Sequence, residues 1–253
     1  MSADIQAWAG SNPYGVRARI AEDRLRWELQ LQVSHPPPLA DWGFRFGEAV
    51  NHLRATLDNL VVAIARQSGV TDEKQLKALM FPISGTPAEW KNRQKALACL
   101  ADWCRNALEQ VQPFQRPEYG GTLDEDLLLV LRDLDNRTKH HLQVKPDLAP
   151  QTIEHAPSVE FETEEGAAAS VPPDTEVIVA PFEDGAVLLR HRTNGRIKSV
   201  RGRYSITAEV QVLLPDDRAF GVTDLLAALW EYTRAVMEHV IGTAEGAEGK
   251  SVV

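Results

Sequence analysis

The hydrophobic period of this chain switches three times, and those switches bound the folds open to it. Residues Leu25 to Val33 alternate strictly, with Leu25, Trp27, Leu29, Leu31 and Val33 on one face and Arg26, Glu28, Gln30 and Gln32 on the other. Period two over this length predicts a strand with one face buried. Pro36, Pro37 and Pro38 stop it, because proline cannot donate to a ladder. From about Asp41 to Gln67 apolar residues step by three and four instead. Phe46, Val50, Leu53, Leu57, Leu60 and Ile64 make the stripe of a helix that packs on other helices, and Gly69 ends it. Thr86-Pro87-Ala88-Glu89 is a capping box with proline at the first helical position. It predicts a helix that continues through Leu97, Leu100, Cys104, Leu108 and Val111 to Pro113. Thr122-Leu123-Asp124-Glu125 is a second capping box and opens a helix to about Leu142.

Period two returns from Thr152. Val159 with Phe161, Val177 with Val179, Val187 with Leu189, and Tyr204 to Val212 alternate between Gly, Pro and Asp clusters, which predicts antiparallel strands. Asn194-Gly195 reads as a hairpin turn, since both positions tolerate positive φ. A last helix, Asp224 to Ile241, is capped by Thr223 and ended by Gly242. The order predicts an α+β fold, a helical bundle of three to five helices intertwined with an antiparallel sheet of about five strands. It is expected as a single unit over residues 1–242, with 34–146 mostly helical, 152–214 mostly β, 223–241 a C-terminal helix and 243–253 a disordered tail. The helices around 41–67 and 123–142 should pack together. The strand at 25–33 should pair with one from 152–214, because an isolated two-stranded element is marginal in water.

Composition excludes several function classes. Of 253 residues 43 % are hydrophobic and 25 % charged, in the globular range, and no apolar run approaches the roughly 18 residues of a membrane helix. The opening MSADIQAWAG lacks a basic start and apolar core, so a soluble, cytoplasmic bacterial protein with no membrane partner is expected. Cys99 and Cys104 suit neither a zinc site nor a disulfide framework, and His140-His141 would point about 100° apart on a helix. HExxH, CxxC, GxSxG, GxGxxG and a Walker lysine are all missing, so no cofactor and no metal is expected. A net charge of −9 works against nucleic acid. Within it, however, Arg190, Arg192, Arg196, Lys198, Arg201 and Arg203 fall in one acid-free run, a candidate anion or nucleic-acid contact. The competing readings are a solvated hairpin and a contact with an acidic patch on this chain or a partner.

The stretch Gly47-Glu48-Ala49-Val50-Asn51-His52-Leu53-Arg54-Ala55-Thr56-Leu57-Asp58-Asn59-Leu60-Val61 is followed by Phe81-Pro82-Ile83, Gln112-Pro113-Phe114 and Leu134-Asp135-Asn136-Arg137-Thr138-Lys139-His140-His141. In that order these resemble a family of functionally uncharacterised bacterial, chiefly actinobacterial, proteins that read GDALHNLRSALDHLV, FPI, QPY and LSNIDKHR. The resemblance covers about residues 25–142. Asn51-His52 reverses the usual order, Asn59 stands for a His, Thr138 for an Asp and His141 for an Arg.

Arg54 and Asp58 lie one helical turn apart, as do Asn136 and His140, with Lys139 alongside. Packing of their helices is expected to gather them into one polar cluster. It would be either a salt-bridge network that fixes helix register or a pocket in which His140 serves as acid, base or anion contact. Arg234 and His239 on the last helix match the spacing of HEPN-type ribonucleases. The expected function is a non-enzymatic binding or self-association module, open to homo-oligomer formation. The alternative is a HEPN-like, metal-independent ribonuclease of a toxin or defence system.

Overall fold

Burying Trp27, Leu29 and Leu31 on one side of a strand and the Phe46–Ile64 stripe on one side of a helix requires two separate apolar layers. The computed structural model provides them, and describes residues 1–116, 126–139, 146–171, 174–178, 180–214 and 218–248. Among these the elements run α1 (Ser2–Gly10), β1 (Tyr14–Ile20), β2 (Arg26–Val33), α2 (Leu39–Gln67), α3 (Glu73–Ala78), α4 (Pro87–Arg93), α5 (Asp102–Gln110) and α6 (Leu127–Lys139). They continue with β3 (Pro146–Phe161), α7 (Glu164–Ala168), β4 (Asp174–Val177), β5 (Val187–Arg192), β6 (Ile197–Leu213), β7 (Ala219–Gly221) and α8 (Val222–Glu248). The fold is α+β with two antiparallel sheets. Its contacts group into a β unit, Met1–Leu39 with Pro146–Val212, and a helical unit, Ala40–Lys145 with Leu213–Val253.

In the β unit one sheet has the order β1-β2-β5-β4. As expected, the 25–33 strand pairs across a long sequence gap, β2 lying antiparallel to β5 with Trp27 opposite His191 and Leu29 opposite Leu189. Leu25 is exposed where β1 turns into β2, and Arg24 there takes a positive φ of 59°. The second sheet of this unit is the long β3–β6 ribbon. β3 is an edge strand carrying Pro150 and Pro157, and its register shifts between Pro150 and Thr152, where the missing proline N–H interrupts the ladder.

Asn194-Gly195 is not a hairpin turn. β5 and β6 belong to different sheets, and neither residue has positive φ. The pair forms a corner held by the residues that follow α7. Ser170 Oγ accepts from Asn194 N at 3.1 Å and Gly195 N at 3.0 Å, and Asn194 Nδ2 donates to Ala169 O at 2.6 Å. A Cβ on Gly195 would fall 2.4 Å from Gly166 Cα, so close backbone approach is what the glycine provides.

In the helical unit the whole predicted α2 stripe is buried, and Gly69 stops the helix at φ +88°. The helix expected from Thr86 to Pro113 is broken into α4, a 3-10 turn at Gln94–Leu97, and α5. Arg105 holds the break, its Nη1 donating to Leu100 O at 2.9 Å. The break lets Trp90, Leu97, Leu100, Cys104 and Leu108 all reach the core. The capping box is present at its start, with Thr86 Oγ1 accepting from Glu89 N and Glu89 Oε2 from Gly85 N. The Thr122–Glu125 box lies outside the described residues, and Asp126 Oδ1 accepts from Leu128 N at the start of α6. α2 and α6 meet as expected, Asn51 Oδ1 lying 2.8 Å from Thr138 Oγ1. α8 does not end at Gly242 but runs to Glu248, and both α5 and α6 pack on it. Among the described residues no helix is long and apolar enough to cross a membrane.

Two glycine substitutions should act in opposite directions. Gly195→Ala should cost about 1–3 kcal/mol of overpacking. Gly242→Ala, in a helix where an added Cβ meets nothing within 4 Å, should stabilise by up to about 1 kcal/mol. Urea denaturation of the two variants beside the parent checks both signs.

Candidate functional site

Arg54 and Asp58 of α2 face the Phe81 segment of the chain. Arg54 is only 7 % exposed; its Nη2 lies 2.9 Å from Asp58 Oδ1 and donates to Phe81 O at 2.7 Å, while Asp58 Oδ1 accepts from Phe81 N at 2.8 Å. The pair therefore grips both polar groups of one peptide segment. Gln112 does the same one step along, accepting from Ser84 N at 2.9 Å and donating to Pro82 O at 3.0 Å and Leu108 O at 2.8 Å. Burial pushes the Arg54 guanidinium below its ordinary value, and the charges of Asp58 and buried Asp135 hold it up. The α6 residue brought towards Arg54 is thus Asp135. Asn136 is exposed, and the Lys139 side chain and His140 lie outside the described residues.

The remaining candidates on helices are engaged elsewhere. Arg234 donates to Glu231 at 2.6 Å and Glu238 at 2.8 Å, while His239 Nε2 lies 3.1 Å from Gln110 Oε1. Five residues of helix separate their directions by about 140°. Cys104 is buried, which pushes its thiol up to about 11, and Cys99 is half-buried.

In the β unit the basic run meets carboxylates on neighbouring strands. Arg190 pairs with Glu28 at 2.9 Å and Glu176 at 3.3 Å, Arg192 with Glu176 at 3.7 Å, Arg196 with Glu162 at 3.1 Å and Lys198 with Glu160 at 2.5 Å. Arg201 acts on Glu160 through its charge. Each pair is worth little to stability, but together they cancel most of the positive field that the sequence concentrates here.

His191 stands inside that run and behaves differently. Arg190 and Arg192 point to one face of β5, His191 to the other with Leu189, so it is only 4 % exposed. Its ring stacks on Trp27, its register partner in β2, with centroids 4.1 Å apart and planes at 15°. Its Nδ1 lies 2.8 Å from Oγ1 of Thr175, its partner in β4. On the other sheet His155 and Tyr204 are register partners across β3 and β6, and both approach this row. The His155 ring is 5.3 Å from His191, the Tyr204 ring 6.2 Å from Trp27. Two polar atoms in this four-ring box, His191 Nε2 and the Tyr204 hydroxyl, are buried with no hydrogen-bond partner among the described residues. Burial pushes the His191 imidazole below its ordinary value and the charge of His155 adds to that; burial pushes the Tyr204 phenol up. Beside the box lies a groove of about 770 Å³ lined by Val16, Glu154, His155, Gly202, Arg203 and Tyr204, among others.

Of the candidates marked on the sequence only Arg203 lines this groove. Trp27, His155, His191 and Tyr204 were not singled out, because each comes from a different strand and no spacing joins them. One signal was present: a histidine on the apolar side of a period-two run. The chain has no match among family models, curated proteins or solved structures.

Arg54→Ala should leave the carboxylates of Asp58 and Asp135 beside a lost cation and Phe81 O without its donor, at a cost of about 3–5 kcal/mol. Asp58→Asn, which keeps an acceptor for Phe81 N, should cost about 1–2 kcal/mol. Denaturant melts of both variants give the comparison. Iodoacetamide at pH 8 should alkylate Cys99 well before Cys104, read by peptide mass spectrometry.

Proposed function

We propose that this chain is a non-enzymatic binding module whose ligand site is the groove beside the four-ring box of the β unit. One observation carries the reading. Buried polar groups are mostly satisfied; of the buried polar atoms left over among the described residues, His191 Nε2 and the Tyr204 hydroxyl are the two that belong to the ring box, and Tyr204 also lines an open groove of ligand size. Of the described candidates for a reaction, Arg54 and Asp58 hold the Phe81 segment, and Arg234 is held between two glutamates.

We also infer kinship with the bacterial family whose motifs the helical unit resembles. The support is that those separated motifs make one bonded network, Arg54 and Asp58 with Phe81, and Gln112 with Pro82. Two of the departures meet: Asn51 and Thr138 stand where the motifs carry His and Asp, and they lie 2.8 Å apart.

The test is ligand-observed NMR of the full chain with a set of small carboxylates, imidazoles and nucleosides. Binding should be found and should be lost in Ala156→Trp, which fills the groove. A fluorescent single-stranded RNA in EDTA should stay intact. Cleavage abolished by His239→Ala would replace this reading with the ribonuclease one.

A further inference from the structure

Two imidazoles brought together from strands of different sheets are the most chemically specific feature of the β unit. Imidazole is the commonest protein ligand for transition metals, bound in its neutral form. His191 meets the requirements one by one. Its Nδ1 is taken by Thr175 Oγ1 at 2.8 Å, the kind of outer partner that fixes the ring of a metal-binding histidine. Its Nε2 is then the nitrogen left over, buried and without a partner. Stacking on Trp27 stops the ring from turning away.

His155 supplies the second imidazole. It is exposed on β3 and lines the groove, so this side of the pair faces solvent. Two imidazoles on one tetrahedral ion, with nitrogens about 2.0–2.1 Å from it, have ring centres about 5 Å apart. The His155 and His191 centroids are 5.3 Å apart. Tyr204, the cross-strand partner of His155, has its ring 6.2 Å from Trp27 and carries a buried hydroxyl with no other bond.

We propose that His155 and His191 are the protein ligands of a binding site for a divalent transition-metal ion, with the Tyr204 hydroxyl and water from the groove at its remaining positions. The proposal rests on the reading of this groove as the ligand site. Among the described residues no three His, Cys, Asp or Glu side chains could hold an ion together. The site is therefore an open two-histidine one, and it should follow the usual order in preferring Cu²⁺ to Zn²⁺. The sequence offered no warning, since no contiguous metal motif contains either residue.

The test uses the full chain stripped with EDTA, then CuCl₂ or ZnCl₂ added singly, with thermal melting as the readout. Each ion should raise Tm, because it binds the folded state, and EDTA should reverse the rise. His155→Ala, at an exposed position, should melt as the parent does without metal and lose the rise. Thr175→Val should keep the rise but weaken binding by roughly tenfold. The Cu²⁺ electron spin resonance spectrum should show coupling to two imidazole nitrogens in the parent and one in His155→Ala. No rise in the parent, or an equal rise in His155→Ala, overturns the proposal. If small molecules still bind the groove in either of those cases, the metal is wrong and the binding module stands; if they do not, both fall.

Discussion

The helical unit depends on one buried cation, Arg54, and on what its guanidinium is made to hold. A buried charge is costly unless it is paired and hydrogen-bonded. Here Asp58 supplies the pair and the Phe81 peptide the bonds. The same bonds solve a second problem. The chain between α3 and α4 crosses the core as an extended segment, with Phe81 and Ile83 buried, and its polar backbone has no ladder to join. Arg54, Asp58 and Gln112 act as that ladder. Side chains of a rigid helix take the place of a neighbouring strand.

The β unit has a comparable spine, but an aromatic one. Ile20, Trp27, His191 and Thr175 stand in register across four strands, and His155 with Tyr204 meets them from the second sheet. A row of this kind fixes strand register, since a slip of one residue would turn Trp27 and His191 outward and bring Glu28 and Arg190 in. It also leaves two polar atoms without partners. An apolar pair of residues of similar shape could have closed the box without leaving polar atoms over.

Charge shows how far a linear reading can mislead. The run from Arg190 to Arg203 contains no acid in sequence, yet Glu28, Glu160, Glu162 and Glu176 reach it from other strands. Pairing across a sheet joins residues with no sequence relation, so the field of such a segment belongs to the sheet and not to the run.

Local periodicity determined a good deal by itself. The α2 stripe, the buried face of β2, the Thr86 cap and the stop at Gly69 follow from side-chain spacing and backbone preference within a few residues. The α+β class follows from the order of those elements. Tertiary structure decided the rest, for a physical reason each time. The helix read from Thr86 to Pro113 was cut because its apolar residues had to reach one core from several directions. Asn194-Gly195 became a corner because β5 and β6 pair with other strands and leave no hairpin for it to close. Arg54 found Asp135 and a peptide group rather than Asn136, because helix packing selects which turn of α6 faces it. The four-ring box needs Trp27, His155, His191 and Tyr204 from four strands of two sheets. Spacing along a chain records which side a residue faces, and only the packed sheets decide what it faces there.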